Sequence, residues 1–336
     1  MIYVVIIYLW AALLLYLLLG GADFGAGIIE LFTSDKNKDK TSNTLYRAIG
    51  PVWEANHMWL IIVIVILFTG FPEIYATVST HLHIPLAIML LGIIARGTAF
   101  AFRHYDAVQD DMQKVYNKIF RYSSFITPFF LGIIAGSAVA GKIDPHAMNF
   151  RDAFIFPWLN LFSVSVGLFT VTICGYLAAI FIIGEAQTEA GRKRYIIKAR
   201  SMNLAAAFAG SLVFVAATLD HIPLAEWLFG NGIGIISILA AVISLIIQWR
   251  QIAKGKVIMI RVIAGFQIAM ILLATTYYHY PRIILLKGGG YLSLLEHRGD
   301  DQAIRALALA LLIGSLFILP ALVYLIYSFQ KKKMTA

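Results

Sequence analysis

The chain has 336 residues, of which 60% are hydrophobic and 13% charged, with a net charge of +9 and a mean hydropathy of +0.81. That composition excludes a soluble globular protein, and apolar runs of membrane-spanning length recur from end to end, leaving no room for a separate soluble domain. The one cysteine, Cys174, lies inside an apolar run, so no intramolecular disulfide can form.

The first span begins at about Ile2, and its apolar pattern carries on to about residue 32. No basic segment precedes it, which marks a retained span and not a cleaved signal peptide. Its lower end reads Gly20-Gly21-Ala22-Asp23-Phe24-Gly25-Ala26-Gly27. Gly21 and Gly25, with Gly27 beyond them, form a small-residue face that admits close approach, and the second span is expected to pack there. Asp23 reads either as a carboxylate at the membrane border or as a buried acid facing a protein interior. Residues 34–47 are polar and basic and read as a loop.

The second span, about 51–71, opens on Gly50-Pro51-Val52-Trp53-Glu54-Ala55-Asn56-His57-Met58-Trp59. Proline suits the first helical turn, where its missing N–H costs nothing. Glu54 either complements the positive helix N-terminus or, as an ionisable group at membrane depth, carries protons. Pro72 and Glu73 end this span, and a short loop runs through Thr80. The third span, about 81–102, carries Arg96, which must snorkel, pair with an acid such as Glu54 or Asp23, or face a cavity.

A charged loop, 103–121, leads to a fourth span at about 123–140. A polar stretch, 142–153, leads to a fifth at about 156–183. The loop 184–198 holds Arg192-Lys193-Arg194, and a sixth span covers about 202–219. Trp227 then falls in a linker of interfacial character. The seventh and eighth spans cover about 233–249 and 257–276. A longer loop, 278–302, contains Gly288-Gly289-Gly290, and a ninth span covers about 304–329. The reading is an all-α integral membrane protein of nine transmembrane helices in bundles, forming a single membrane domain over 1–336.

Nine spans put the termini on opposite sides. Of the 27 Lys and Arg residues, 19 fall in the loops and tail of one side and 6 on the other. By the positive-inside rule the N-terminus is outside and the C-terminus cytoplasmic. The basic charge is therefore an orientation signal, and no nucleic-acid partner is expected. Asp23, Glu54, Asn56, His57 and Arg96, from three successive spans, all fall near the cytoplasmic face. Such a cluster is the composition of a proton intake. None of the eight histidines lies in the middle of a span, which argues against a bis-histidine haem held by this chain, and neither a haem-attachment motif nor zinc-ligand spacing occurs. A secondary transporter is the rival from another class, and a quinone-binding membrane anchor of a different respiratory complex is a third reading. Against the transporter stands the absence of matched, broken helices in two halves.

Gly-Ala-Asp-Phe-Gly-Ala-Gly at 21–27, followed by Gly-Pro-Val-Trp-Glu-Ala-Asn-His-Met-Trp at 50–59, resembles the signature of subunit II of cytochrome bd quinol oxidases, and the nine-span layout is similar over the whole chain. Two positions depart from the family pattern: many relatives carry a further aspartate where this chain has Gly20, and many have aspartate in place of Glu54. The resemblance implies an electrogenic terminal oxidase, in the cell membrane of a prokaryote, that oxidises quinol and reduces oxygen to water with cytoplasmic protons. It implies that haems b and d sit in a partner, subunit I, so that no metal or haem is expected on this chain. The resemblance leaves open a small single-span subunit, and membrane lipid surrounds the whole. It also implies a proton path through Glu54 and its neighbours and places Trp59 near a lateral oxygen route; otherwise Trp59 is an interfacial anchor.

Overall fold

The computed structural model describes residues 1–49, 53–105 and 112–334, with the side chains of 35, 36, 39, 47–49, 54, 104, 105 and 325–334 outside the described part. The first rod is built from Ile2–Leu15 (α1) and Gly21–Leu31 (α2), joined through a π-helical turn at Tyr16–Gly20. A helix follows at Asp35–Ile49 (α3), where the polar composition suggests a loop. Its polarity is one-sided: Thr41 and Leu45 are buried while Lys40 and Asn43 face out, a pattern that binds a helix to a surface.

The second span is Trp53–Gly70 (α4), and it turns by 115° at the buried Phe71 into Pro72–His81 (α5). The expected loop at 72–80 is thus a helix, because Pro72 at its first position starts a helix as readily as it stops one. The third span is His83–Tyr105 (α6). The fourth, Met112–Val139 (α7), begins well before the apolar run, as does the sixth, Glu189–Leu219 (α10), capped by Thr188. In both, good helix formers such as Lys, Gln and Arg continue the helix past the apolar segment, so hydropathy marks the bilayer and not the helix end.

Between them stand a short helix, Phe150–Phe154 (α8), and the fifth span, Leu161–Ile183 (α9). The fifth span starts later than expected, because Asn160 caps it by accepting from Ser163 N at 2.9 Å. Leu224–Phe229 (α11) holds Trp227, which is buried against His279. Gly232–Ala253 (α12) and Val257–Tyr277 (α13) form a hairpin of spans. The loop after them contains a small antiparallel ribbon, Arg282–Leu285 (β1) with Tyr291–Ser293 (β2). Gly288 and Gly289, both at positive φ, lie in the turn between the two strands. The last helix is Asp301–Met334 (α14).

Among the described residues, eight helices are long and apolar enough to cross a membrane, and the bent α4–α5 pair makes a ninth. Large apolar side chains such as Leu204, Phe208, Leu316 and Phe317 stand on the outside, as a hydrocarbon solvent requires. Inside, α2 lies between α7 and α9, α6 packs along α7, and α1 packs on α4 and α14. The Gly21/Gly25 face therefore meets α9 and not the second span. A Cβ on Gly25 would stand 1.9 Å from Cys174 O and 2.7 Å from Ala178 Cβ, and one on Gly27 would overlap the Ser124 side chain of α7. The small residues do form a close-approach surface, but its partner is α9, because adjacency in sequence does not decide packing in a bundle.

Candidate functional site

Where α2 packs on α7, the Arg96 side chain of α6 reaches across to Asp23. Each residue is only 1% exposed. Arg96 Nη1 donates to Asp23 Oδ2 and Nη2 to Oδ1, both at 2.7 Å, and Nη2 also donates to the Asp23 carbonyl at 3.0 Å. Arg96 Nε donates to Ser124 Oγ at 3.0 Å, and the rings of Phe24 and Phe120 lie 5.2 and 5.0 Å from the guanidinium carbon. A planar fork matched to a carboxylate is what arginine offers and lysine does not. Of the readings open for Arg96, pairing with Asp23 is the one the structure contains; the side chain does not snorkel. Asp23 is correspondingly the acid turned to the protein interior.

The third member is His57 on α4. Its Nε2 lies 3.8 Å from Asp23 Oδ2, beyond a direct hydrogen bond and within reach of a bridging water. Its Nδ1 is buried and has no hydrogen-bond partner among the described residues. The imidazole leans on Phe24 at 5.6 Å and on Tyr16 at 6.3 Å. Tyr16 sits at the start of the π-turn, and its ring fills the space a side chain at position 20 would take, 2.8 Å from a Cβ built there. Local π geometry often marks functional positions.

Asn56 is buried beside His57 on α4. Trp59 is 6% exposed, belongs to the core between α1 and α4, and leaves its Nε1 without a partner among the described residues, so it is not an interfacial anchor. Glu54 opens α4, and its side chain lies outside the described residues. The structure thus brings Asp23, His57 and Arg96 into one cluster.

Sequence reading missed three polar features. Ser124 holds the Arg96 Nε. Arg103 pairs with Glu30 at 3.1 Å. Tyr176 hydrogen-bonds both Gln248 and, at 2.9 Å, Gln267, tying α9, α12 and α13 together in an otherwise apolar core. The two glutamines were a usable signal, since uncharged amides inside apolar spans bury only with partners.

The family described as cytochrome bd terminal oxidase subunit II matches residues 1–329. Cytochrome bd ubiquinol oxidase subunit 2 of Bacillus subtilis (strain 168) is 31% identical over 193 residues, 54% of this chain and 55% of that protein. Cytochrome bd-I ubiquinol oxidase subunit 2 of Escherichia coli (strain K12) is 24% identical over 177 residues, 50% of this chain and 46% of that one. The chain spans about half the length of the curated relatives it matches. In fold, it superimposes on a chain of the bd oxidase from Geobacillus thermodenitrificans with a TM-score of 0.69 at 21% identity, covering 97% of this chain and 98% of that one. Neither the transporter nor the anchor of another complex finds support among these relatives.

Proposed function

The chain belongs to the cytochrome bd terminal oxidase subunit II family, and from that premise we propose that it works in a complex that oxidises quinol and reduces oxygen to water. In this reading the N-terminus is outside and the C-terminus cytoplasmic, as the basic-residue asymmetry requires, and the membrane is the plasma membrane of a prokaryote. The partner is a haem-bearing subunit I, with room for a small single-span subunit and with lipid around both. Haems b and d, when bound in that partner, supply the electron path and the oxygen site. Among the described histidines, His57 faces Asp23, His81 bonds the Ala153 carbonyl and His279 stands against Trp227.

The chain's own chemistry is proton delivery, and the observation that carries it is the buried Asp23–Arg96–His57 cluster. Two arginine nitrogens donate to the Asp23 side chain, and a buried charge without such a partner would be far costlier. The pair is neutral as a unit, and it presents a carboxylate oxygen to the imidazole of His57 at 3.8 Å. In this reading His57 takes a proton at Nε2 from a water on the Asp23 side and gives one from Nδ1, the nitrogen without a described partner, to a water on the far side of the ring, so the ring is neutral before and after. Asn56 orients this turn of α4, Glu54 is the companion acid one turn earlier, and Trp59 lines the route of oxygen. Gly21, Gly25 and Gly27 let α9 and α7 close around the cluster.

The test is purification of the native complex. A haem-containing second subunit that co-purifies with quinol oxidase activity, and whose activity falls in His57→Gln at unchanged haem content, is the expected result. A colourless chain that purifies alone, or unchanged turnover in His57→Gln, contradicts it.

A further inference from the structure

We propose that Glu30 and Arg103 form the cytoplasmic proton intake that feeds the Asp23 cluster, with Glu30 as the acid that exchanges protons with cytoplasmic water. The inference rests on the relay reading of Asp23 and His57 and extends it outward. The ground is a repeat in the geometry. Glu30 follows Asp23 by seven residues on the first rod, and Arg103 follows Arg96 by seven on α6. Two turns of helix separate each pair, about 10 Å along the axis. The bundle therefore holds two acid–arginine rungs, one above the other, between the same two helices.

The two rungs share a spacer. The Phe120 ring of α7 stands 5.0 Å from the guanidinium of Arg96 and 5.1 Å from that of Arg103. The rungs differ in what lies beside them. Asp23 is enclosed by side chains, whereas Glu30 borders a cavity of about 10 Å³ with Arg103, Ser42 and Tyr46. That is room for one water with polar partners on its wall. The roof is α3, whose Ser42 accepts from Arg103 and whose Leu45 and Tyr46 close the space. Between the rungs, Gly27 carries no side chain and the Ser124 hydroxyl fills its place, in hydrogen-bond contact with Arg96. A water at Glu30 and the Ser124 hydroxyl are thus two polar stops over the distance that separates the acids.

The chemistry balances simply. Glu30, only 4% exposed, takes a proton that reaches it from cytoplasmic water through the cavity water, gives it up inward to the Asp23 cluster, where His57 Nε2 accepts it, and returns to the carboxylate that Arg103 neutralises. A pair that served only to pin α2 to α6 would need no cavity beside it, and Arg103 alone could satisfy Ser42 and the carboxylate.

The experiment uses the whole oxidase with Glu30→Gln, Glu30→Asp, the double Glu30→Gln/Arg103→Gln, and Asp23→Asn. Oxygen consumption with quinol is followed across the neutral pH range alongside the haem spectrum. Glu30→Gln should slow turnover by about a hundredfold, the low end of what a positioned proton-transfer group contributes. The haem spectrum should be intact, the rate should recover as pH falls, and Glu30→Asp should keep most of it. If Glu30→Gln does not assemble, the double variant decides, because it leaves no unpaired guanidinium; it too should be slow and pH-dependent. Wild-type turnover in either glutamine variant, with Asp23→Asn slow, overturns the intake and leaves the relay standing. Wild-type turnover in Asp23→Asn overturns the relay itself.

Discussion

Gly25→Ala tests the packing on which the site depends. A Cβ there would stand 1.9 Å from Cys174 O where ordinary contact begins at 3.4 Å, so α2 and α9 must separate by about 3.4 − 1.9 = 1.5 Å. The obstacle is backbone and cannot rotate aside. Overpacking of this kind costs about 1–3 kcal/mol, and here the upper end applies because a whole helix must move. Alanine's higher helix propensity returns only about 1 kcal/mol. Gly21→Ala is the matched control: its Cβ would meet Leu177 and Cys174 side-chain atoms at 3.4 and 3.5 Å, so propensity wins and stability should hold or rise. The assay is thermal unfolding of each purified variant in the same detergent. Because Asp23 rides on α2 and its bonds to Arg96 are 2.7 Å long, Gly25→Ala should also disturb the ion pair. A melting point for Gly25→Ala equal to or above that of Gly21→Ala would show that α2 and α9 are not in close contact at this glycine.

Arg96→Met should destabilise the fold by about 3–5 kcal/mol, since it strands the Asp23 carboxylate in the interior, while the double Arg96→Met/Asp23→Asn should recover much of that loss in chemical denaturation. Tyr176→Phe should cost about 1–3 kcal/mol by removing the hydroxyl that Gln248 and Gln267 share, read by the same denaturation series. His279, outside the spans and buried against Trp227, is held down by burial to about 4 from an ordinary 6.5. Its neutral form is the folded one, so this contribution is complete above pH 6.5 and is lost as pH falls from there toward 4, by about 3 kcal/mol in all. His279→Phe should flatten the acid limb of the stability curve; an unchanged limb would count against it.

Hydropathy located the spans because a bilayer demands about twenty apolar residues whatever the tertiary contacts. It could not locate helix ends: α7 and α10 run on through charged residues, and α3 and α5 are polar helices that hydropathy scores as loop. The site was half legible. Asp23, His57 and Arg96 stood out as ionisable groups at membrane depth, a rare and costly placement. Which acid Arg96 pairs with was not legible, because Asp23 and Glu54 flank the same loop and only the docking of α2 on α6 and α7 selects one. Ser124 and Glu30 gave no signal, since a serine in an apolar span and a glutamate at a helix end each have ordinary explanations. The partner of the glycine face was misjudged for a related reason: a bundle brings α9 to α2 across more than a hundred residues, and no periodicity encodes that choice.

The proposed conveyance of cytoplasmic protons by the Asp23–His57 cluster can be followed within a single turnover. It is tested most directly by mixing the reduced Asp23→Asn oxidase with oxygen and recording, in one turnover, both the haem spectrum and proton uptake from the medium with a pH dye. If the cluster carries those protons, oxygen binds at the wild-type rate and the proton-uptake phase is slowed or absent. Proton uptake at the wild-type rate in Asp23→Asn would contradict it.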